Sequence, residues 1–221
     1  MYNKRVALLD VDDILLKFIE GFNKHLSTNG FEGTIHPNYL PRTWDYKELG
    51  DVSSQLRAYI DAETDDLDAF EGAAAFTEDL RELGMEVVLL TAHPAHLTLD
   101  RIRNLKKHGI YFDQLYCTAG YDNHGKKVYH SKAEFARELF DSTRKIVFAD
   151  DKASTVVDMV GELENVTGVT LARPYNDDVL ADLQLFDKDS DRLFVAGEAS
   201  NLPEQQVNEL YDKFLEKARE L

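Results

Sequence analysis

The chain has 221 residues, 43% of them hydrophobic, which is enough for one medium-sized domain or a domain with an insertion, and argues against extended disorder. Acidic residues outnumber basic ones by 41 to 25, and the formal charge of −16 disfavours binding to long DNA or RNA. The sequence has no apolar run long enough to span a membrane, and its single cysteine, Cys117, excludes an intrachain disulfide. We therefore expect a cytoplasmic protein without membrane contacts. We expect Cys117 to be a small buried residue rather than a reactive thiol.

The first predicted core element is a short strand that runs into acidic residues. The apolar residues 6–9 are typical of a strand buried on both faces of a parallel sheet, and Asp10, Asp12 and Asp13 follow. Carboxylates at the C-terminal end of such a strand lie where open α/β sheets bind ligands. On an extended strand Asp10 and Asp12 would point to the same side, which is unfavourable unless a cation or a proton lies between them.

About sixty residues separate this strand from the next clear core element. Apolar residues recur at helical spacing from Leu15 to Leu26, and again at Leu56, Tyr59 and Ile60, with an irregular stretch between them. Because a structureless loop of that length is improbable, the pattern predicts a small helical subdomain over residues 17–72, inserted into a core formed by 1–16 and 73–221.

From residue 73 onward, helix and strand patterns alternate, which predicts an α/β fold with a doubly wound parallel sheet. The predicted strands span 85–91, 110–117, 145–151 and 166–172, the last being the final strand. One predicted helix ends at Gly84, a second buries Leu99, Ile102 and Leu105, and a third lies around 156–160. A further helix starts near Lys132, after the capping box Ser131–Glu134. An amphipathic helix over about 207–218 closes the chain. We expect it to dock on its own domain, with partner binding as the alternative.

Polar side chains gather at the predicted strand ends. Asp10 and Asp12 follow the first strand, and Thr91 ends the second. A later strand ends in the acidic pair Asp150 and Asp151, and Lys132 lies at the start of the helix before that strand. Because parallel strands end at the same edge of a sheet, these groups can converge. Clustered carboxylates favour Mg²⁺, and a lysine and a hydroxyl beside it would suit a phosphoryl group.

This set of four motifs resembles the haloacid dehalogenase (HAD) superfamily of phosphohydrolases, and the match spans residues 5–172. The resemblance implies a Rossmann-like core in which Asp10 is the nucleophile that forms an aspartyl-phosphate. It implies that Asp12 protonates the leaving oxygen and then deprotonates water, while Thr91 and Lys132 hold the phosphoryl oxygens. The metal ligands it implies are Asp10, the Asp12 backbone carbonyl and the pair Asp150 and Asp151. Of this pair we expect Asp151 to be the direct ligand and Asp150 to support it, with the reverse as the alternative.

The chain departs from the superfamily pattern at one position and leaves a second assignment open. The residue after the second motif Asp is commonly Gly in the superfamily but is Asp13 here, which adds charge and reduces backbone freedom at the turn. Lys126 and Lys127 are alternatives to Lys132 as the phosphate lysine. Lys132 is preferred because the capping box places it at a helix N-terminus, where phosphate binding is favourable.

Within the superfamily, the chain is similar to the 5′(3′)-deoxyribonucleotidases, which carry a helical C1-type cap after the first strand. The matching residues are Phe18, Pro41-x-x-Trp44-Asp45, Thr91-Ala92-His93-Pro94 and Arg173-Pro-Tyr-Asn176. This resemblance implies that Phe18 and Trp44 stack on a nucleobase and that Ala92 and His93 lie in a loop near the substrate. Phe18 also lies on the apolar face of its helix, so packing within the helical insert is the alternative.

The sequence therefore predicts a Mg²⁺-dependent phosphomonoesterase acting on (deoxy)nucleoside monophosphates. The alternatives are the same chemistry on another small phosphorylated metabolite, such as a sugar phosphate, or a non-catalytic binding module that keeps the fold. The oligomeric state is left open.

Overall fold

The computed structural model describes residues 5–31, 33–34, 45–46, 52–63, 66–119, 131–171, 191–196 and 207–221. Several positions singled out in the sequence lie outside these ranges, namely Pro41, Trp44, Lys126, Lys127 and the segment 173–176. Their predicted roles stay predictions.

The centre of the molecule is a six-stranded sheet in which every neighbouring pair is parallel. Its strands are β1 (Val6–Leu9), β4 (Glu86–Pro94), β5 (Gln114–Ala119), β6 (Ile146–Asp150), β7 (Val166–Leu171) and β8 (Leu193–Ala196). The spatial order is β5-β4-β1-β6-β7-β8, so β1 lies between β4 and β6. Two short strands, β2 (Gly33–Thr34) and β3 (Asp45–Tyr46), form a separate antiparallel pair.

Helices cover both faces of the sheet. They are α1 (Phe18–Thr28), α2 (Val52–Glu63), α3 (Ala73–Glu82), α4 (Thr98–Lys107), which follows a short 3₁₀ turn, α5 (Lys132–Leu139), α6 (Ala153–Glu162) and α7 (Val207–Glu220). Side chains of β1 alternate between two apolar clusters: Val6 and Leu8 pack with residues of α5 and α6, while Ala7 and Leu9 pack with residues of α3 and α7. The predicted α/β fold with a doubly wound parallel sheet is confirmed.

The C-terminal helix α7 packs against the core, as expected for a helix that docks on its own domain. The Tyr211 ring stacks on Phe76 with centroids 4.2 Å apart, and its hydroxyl donates a hydrogen bond to the Ile14 carbonyl at 2.7 Å. Phe214 and Leu210 are also buried. The apolar face of α7 is therefore occupied by its own core.

Between β1 and α3 the described residues include the helices α1 and α2 and the short strand pair β2–β3. The rings of Phe22 in α1 and Tyr59 in α2 lie 5.2 Å apart, and both belong to the apolar cluster that continues into the sheet. The division into an insert over 17–72 and a core stays a prediction. Among the described residues, no helix combines the length and apolar character needed to cross a membrane.

Several predicted boundaries are wrong, and the differences have local causes. The strand over 166–172 is not the last, because β8 adds an edge strand to β7. The first helix begins at Phe18 rather than Leu15, because residues 13–15 form a turn. The strand predicted over 110–117 starts at Gln114, since the Asp113 carboxylate accepts the Val87 N–H at 2.8 Å and holds the chain before the strand begins.

The buried face of α4 also differs from the prediction. Leu99 is 68% exposed, whereas Arg101 and Asn104 are fully buried beside Leu105. The Asn104 amide donates to the Leu67 carbonyl at 2.9 Å, and Arg101 has acidic and imidazole partners described below. Polar contacts, rather than apolar periodicity, set the orientation of this helix.

Candidate active site

Asp10 lies at the middle of the C-terminal edge of the sheet. Its N–H donates to the Ala149 carbonyl at 2.9 Å, which extends the hydrogen-bond ladder between β1 and β6 by one residue. One carboxylate oxygen, Oδ1, accepts the Val11 N–H at 2.7 Å. The side chain is buried, and its second oxygen, Oδ2, contacts Lys132.

Lys132 supplies the positive charge next to Asp10. The Ser131 hydroxyl accepts the Glu134 N–H at 3.0 Å, so the predicted cap forms and α5 begins at Lys132. The Lys132 Nζ lies 2.8 Å from Asp10 Oδ2 and 2.7 Å from Asp150 Oδ2. Burial alone would lower the pKa of the Lys132 ammonium, but the two carboxylates outweigh burial and raise that pKa above its ordinary value. Lys132 is therefore a permanent cation bridging β1 and β6.

Three buried acids form the candidate metal centre. Asp10, Asp150 and Asp151 each present an oxygen, and these oxygens all lie within 4.8 Å of one another. Burial, followed by the nearby charges of Asp150 and Asp12, raises the pKa of Asp10 to about 7, although Lys132 opposes the shift.

The donor set suits a hard divalent cation. Three carboxylates against one lysine leave an excess of two negative charges, and all the donors are oxygen atoms. Oxygen ligands and this excess charge are what Mg²⁺ requires. The residues present therefore fit the metal that the sequence predicts.

Asp12 has a cation of its own, Arg101, which the sequence analysis missed. An Arg101 guanidinium nitrogen, Nη2, lies 2.9 Å from Asp12 Oδ1, and the Thr91 hydroxyl donates a long hydrogen bond of 3.4 Å to Asp12 Oδ2. Asp10 and Asp12 are thus each paired with a different cation, which resolves the repulsion expected from their spacing. The sequence did offer one sign that Arg101 is buried. Arg101 lies four residues before Leu105, which was predicted to be buried, so the two residues share a helix face.

His93 is buried at the end of β4 and is not the loop residue we predicted. Its Nδ1 accepts a hydrogen bond of 3.0 Å from Arg101 Nη2, since a guanidinium can only donate. Burial and then the charge of Arg101 lower the pKa of His93 to about 4, so the ring is neutral and carries its proton on Nε2. The His93 N–H donates to the Thr91 hydroxyl oxygen at 3.2 Å, which ties the two residues together.

Asp13, which stands where the superfamily pattern commonly has Gly, adopts a backbone conformation that favours Gly. Its φ is +58°, in the left-handed region that a short polar side chain tolerates better than most. The carboxylate accepts the Ile19 N–H at 3.1 Å, and the Asp13 N–H donates to the Leu16 carbonyl at 2.7 Å. These bonds compensate the strain and satisfy a donor in the first turn of α1, so the loop geometry is kept without Gly.

A cavity of about 450 Å³ opens over these groups. All six predicted catalytic and metal-binding residues line it: Asp10, Asp12, Thr91, Lys132, Asp150 and Asp151. Ala92 and His93 line it as well, together with residues that the sequence analysis missed, namely Ile60, Ser154, Thr155 and Asp158. The cavity is therefore polar and anionic at its floor.

Phe18 contributes to the wall of this cavity and packs against the helical segment. It lines the cavity beside Ile60, and its ring meets Tyr59 edge-on with centroids 5.4 Å apart. The two alternatives drawn from the sequence are thus compatible, because one face can pack while another stays open to the cavity.

Comparison with known proteins identifies the fold. No protein-family model matches the chain, and no curated protein matches its sequence. The structure is similar to a predicted phosphatase from Clostridium acetobutylicum (TM-score 0.59, 19% identity, 96% of this chain and 99% of that chain). It is also similar to a HAD family hydrolase from Deinococcus radiodurans R1 with bound phosphate and sodium (TM-score 0.57, 16% identity, 88% and 92%) and to an L-2-haloacid dehalogenase (TM-score 0.53, 13% identity, 95% and 99%). The chain has the fold of HAD hydrolases.

Proposed function

We propose that this protein is a Mg²⁺-dependent phosphomonoesterase that works through an aspartyl-phosphate on (deoxy)nucleoside monophosphates. The observation that carries the proposal is the buried cluster of Asp10, Asp150 and Asp151, bridged by Lys132 at the floor of the cavity. Structures with the same fold include a predicted phosphatase and a hydrolase with bound phosphate, which supports phosphate as the group transferred.

The proposed first step is attack by an Asp10 carboxylate oxygen on phosphorus. A bond forms between that oxygen and phosphorus as the ester P–O bond breaks, and the leaving alcohol oxygen takes a proton from Asp12. Lys132 would neutralise Asp10 and, with the Thr91 hydroxyl, hold phosphoryl oxygens. In the second step a water oxygen attacks phosphorus, its proton passes to Asp12, and the bond to Asp10 breaks to release inorganic phosphate.

The proposed metal ligands are Asp10, Asp150, Asp151 and the backbone carbonyl of Asp12. When bound there, Mg²⁺ would offset the negative charge that a carboxylate and a phosphate bring together. The assignment of Lys132 rather than Lys126 or Lys127 is supported by its contacts with Asp10 and Asp150.

A nucleotide is favoured over a sugar phosphate by the wall of the cavity. Phe18 and Ile60 line it together with acids and hydroxyl groups, so one part of the ligand can be flat and apolar while another is anionic. A nucleobase joined to a phosphate has this character, and stacking on an aromatic ring contributes about 1–3 kcal/mol per base.

The reaction is tested by measuring phosphate release from a panel of nucleoside monophosphates and sugar phosphates, with Mg²⁺ and again with EDTA. We expect release with Mg²⁺ and loss of release with EDTA. Asp10→Asn should lower kcat by about a thousandfold or more, because the nucleophile is removed. Asp79→Asn, which removes an exposed carboxylate on α3, is the matched control. Full activity in a folded Asp10→Asn protein would refute the mechanism.

The substrate class is tested by Phe18→Ala. If Phe18 stacks on a base, kcat/KM for nucleoside monophosphates should fall about tenfold while kcat/KM for a sugar phosphate, which has no aromatic ring, changes little. Phe31→Ala removes another half-buried ring that packs on the same apolar cluster without lining the cavity, and it serves as the control for packing alone. An equal loss on both substrates would reject stacking in favour of packing against Tyr59.

A further inference from the structure

Arg101 is a charged side chain that has no contact with solvent. Burying a guanidinium is costly unless it is paired and hydrogen-bonded. Among the described residues, two of its nitrogens, Nε and Nη1, have no hydrogen-bond partner. An arginine that served only to hold the fold together would be poorly placed here, because an apolar residue of similar size would avoid that cost.

The contacts that Arg101 does make converge on one carboxylate. Its Nη2 lies 2.9 Å from Asp12 Oδ1 and donates to His93 Nδ1 at 3.0 Å. Because the neutral His93 ring is itself buried and the His93 backbone N–H donates to the Thr91 hydroxyl, His93 fixes the position of Nη2. Thr91 in turn contacts the other Asp12 oxygen, so Asp12, Thr91, His93 and Arg101 form a closed ring of contacts, which we call the Asp12 ring.

The Asp12 ring distinguishes the two oxygens of Asp12. Oδ1 is fully buried and faces Arg101, whereas the side chain as a whole is 23% exposed and lines the cavity. The contact between Oδ1 and Arg101 is ionic, and no hydrogen bond of normal geometry reaches Oδ1 from the described residues. Oδ2 is therefore the oxygen placed to exchange a proton with a bound substrate or water.

We propose that Arg101 is a positioning residue for the reaction, holding Asp12 Oδ1 so that Oδ2 faces the leaving-group oxygen and then the attacking water. This inference rests on the proposed function, in which Asp12 moves both protons. Arg101 itself touches no reacting atom. Its removal should therefore damage the steps that need proton transfer and spare a step that does not.

The test compares two substrates that differ in their need for a proton. The p-nitrophenolate ion leaves without protonation, whereas the alcohol of a nucleoside monophosphate needs a general acid, which contributes about 10²–10⁴-fold to a rate. Arg101→Met keeps much of the side-chain volume without the charge, and Arg103→Met, an exposed arginine on the same helix, is the matched control. Thermal unfolding and circular dichroism report whether each variant folds.

For Arg101→Met we expect kcat/KM to fall about 100-fold with the nucleoside monophosphate and less than about threefold with p-nitrophenyl phosphate. We also expect kcat with p-nitrophenyl phosphate to fall, with a burst of nitrophenol close to one equivalent per protein, because water attack on the aspartyl-phosphate still requires Asp12. Arg103→Met should behave like the wild type. Equal losses on both substrates without a burst, or no loss at all, would overturn the proposal.

A second variant covers the case in which Arg101→Met does not fold. Arg101→Lys keeps the charge but cannot contact Asp12 and His93 through one rigid fork, so the same contrast between substrates should remain, at about tenfold. If this variant shows no contrast, the proposal fails. A wild-type protein that releases no phosphate from either substrate would instead refute the proposed function, and this inference with it.

Discussion

At the scale of single residues, the site separates two carboxylates that stand only two positions apart. Asp10 contacts Lys132 at 2.8 Å and Asp12 contacts Arg101 at 2.9 Å. Their like charges are tolerated because each has a cation of its own and the two cations come from different elements. The separation also gives the two acids different environments, which the proposed mechanism requires if one is the nucleophile and the other the acid and base.

The buried His93 provides a prediction about pH. Its pKa is lowered to about 4 in the folded protein, first by burial and then by Arg101, whereas an unfolded histidine titrates near 6.5. Below about pH 6.5 the unfolded chain binds a proton that the folded chain does not, so folding stability is lost as the pH falls from about 6.5 to about 4. Between pH 8 and pH 5.5 the wild type should lose about 1 kcal/mol more unfolding free energy than His93→Asn.

Denaturant unfolding at the two pH values measures this difference. Asn keeps an oxygen acceptor near the position of Nδ1 but does not titrate in this range, so other groups contribute equally to both proteins. His96→Asn, at an exposed histidine three residues away, should keep the wild-type slope. Parallel stability curves for wild type and His93→Asn would show that His93 does not resist protonation in the folded state.

The predictability of the site differs from residue to residue. Asp10, Lys132 and Asp150 could be found because Asp10 follows a strand, Asp150 ends one and Lys132 begins a capped helix, and strand and helix ends have local sequence signals. Thr91 could be found because it closes the apolar run of β4, although the strand continues to Pro94. Arg101 lies inside α4, so no strand or helix end marks it in the sequence. Its role depends on contacts with Asp12 and His93, and only the tertiary fold brings these together.

At the scale of elements, α4 shows why apolar spacing can mislead near a functional site. The spacing of Leu99, Ile102 and Leu105 favours one face, but the buried residues are Arg101, Asn104 and Leu105. Asn104 donates to the Leu67 carbonyl and Arg101 contacts Asp12 and His93, so the buried face of α4 follows these polar contacts although Leu99 stays exposed. Local rules fail where a helix serves the site.

Two elements near the end of the chain differ in how well the sequence predicts them. α7 could be predicted because its apolar residues recur over four turns, and these residues fill the core. β8 could not, because it has four residues and pairs with β7 alone at the edge of the sheet. A short strand with one partner carries too little alternation to be recognised from its sequence.

At the scale of the whole molecule, the strand order explains where the cavity lies. The chain runs from β1 outward through β4 to β5, then returns to the other side of β1 as β6, β7 and β8. In open α/β sheets the crevice for ligands forms where the strand order reverses, which here is between β1 and β6. Asp10 follows β1 and Asp150 ends β6, so the topology alone sets two of the acids facing each other.

The acids at the place where the strand order reverses should lower the stability of the fold when no metal is present. Three carboxylates and one lysine leave two uncompensated negative charges in a protein whose formal charge is already −16. The pKa of Asp10 is raised from 3.8 to about 7, mainly by burial, so stability falls as the pH rises through this range. Above about pH 7 the loss is complete, because the folded protein then carries the unfavourable charge. Replacing this charge by a neutral amide should stabilise the fold while it removes the proposed nucleophile.

We therefore expect Asp10→Asn to melt about 2–4 °C above the wild type at pH 8 in EDTA, corresponding to about 1 kcal/mol. Saturating Mg²⁺ should raise the Tm of the wild type, since binding at 100 times Kd stabilises a folded protein by about 2.7 kcal/mol, and should raise the Tm of Asp10→Asn much less. Asp79→Asn removes one exposed charge without touching the cluster, so it should keep the wild-type response to Mg²⁺. The order of stability of wild type and Asp10→Asn would then reverse between EDTA and Mg²⁺. An Asp10→Asn protein that is less stable in EDTA and equally responsive to Mg²⁺ would mean that Asp10 neither strains the fold nor binds the metal.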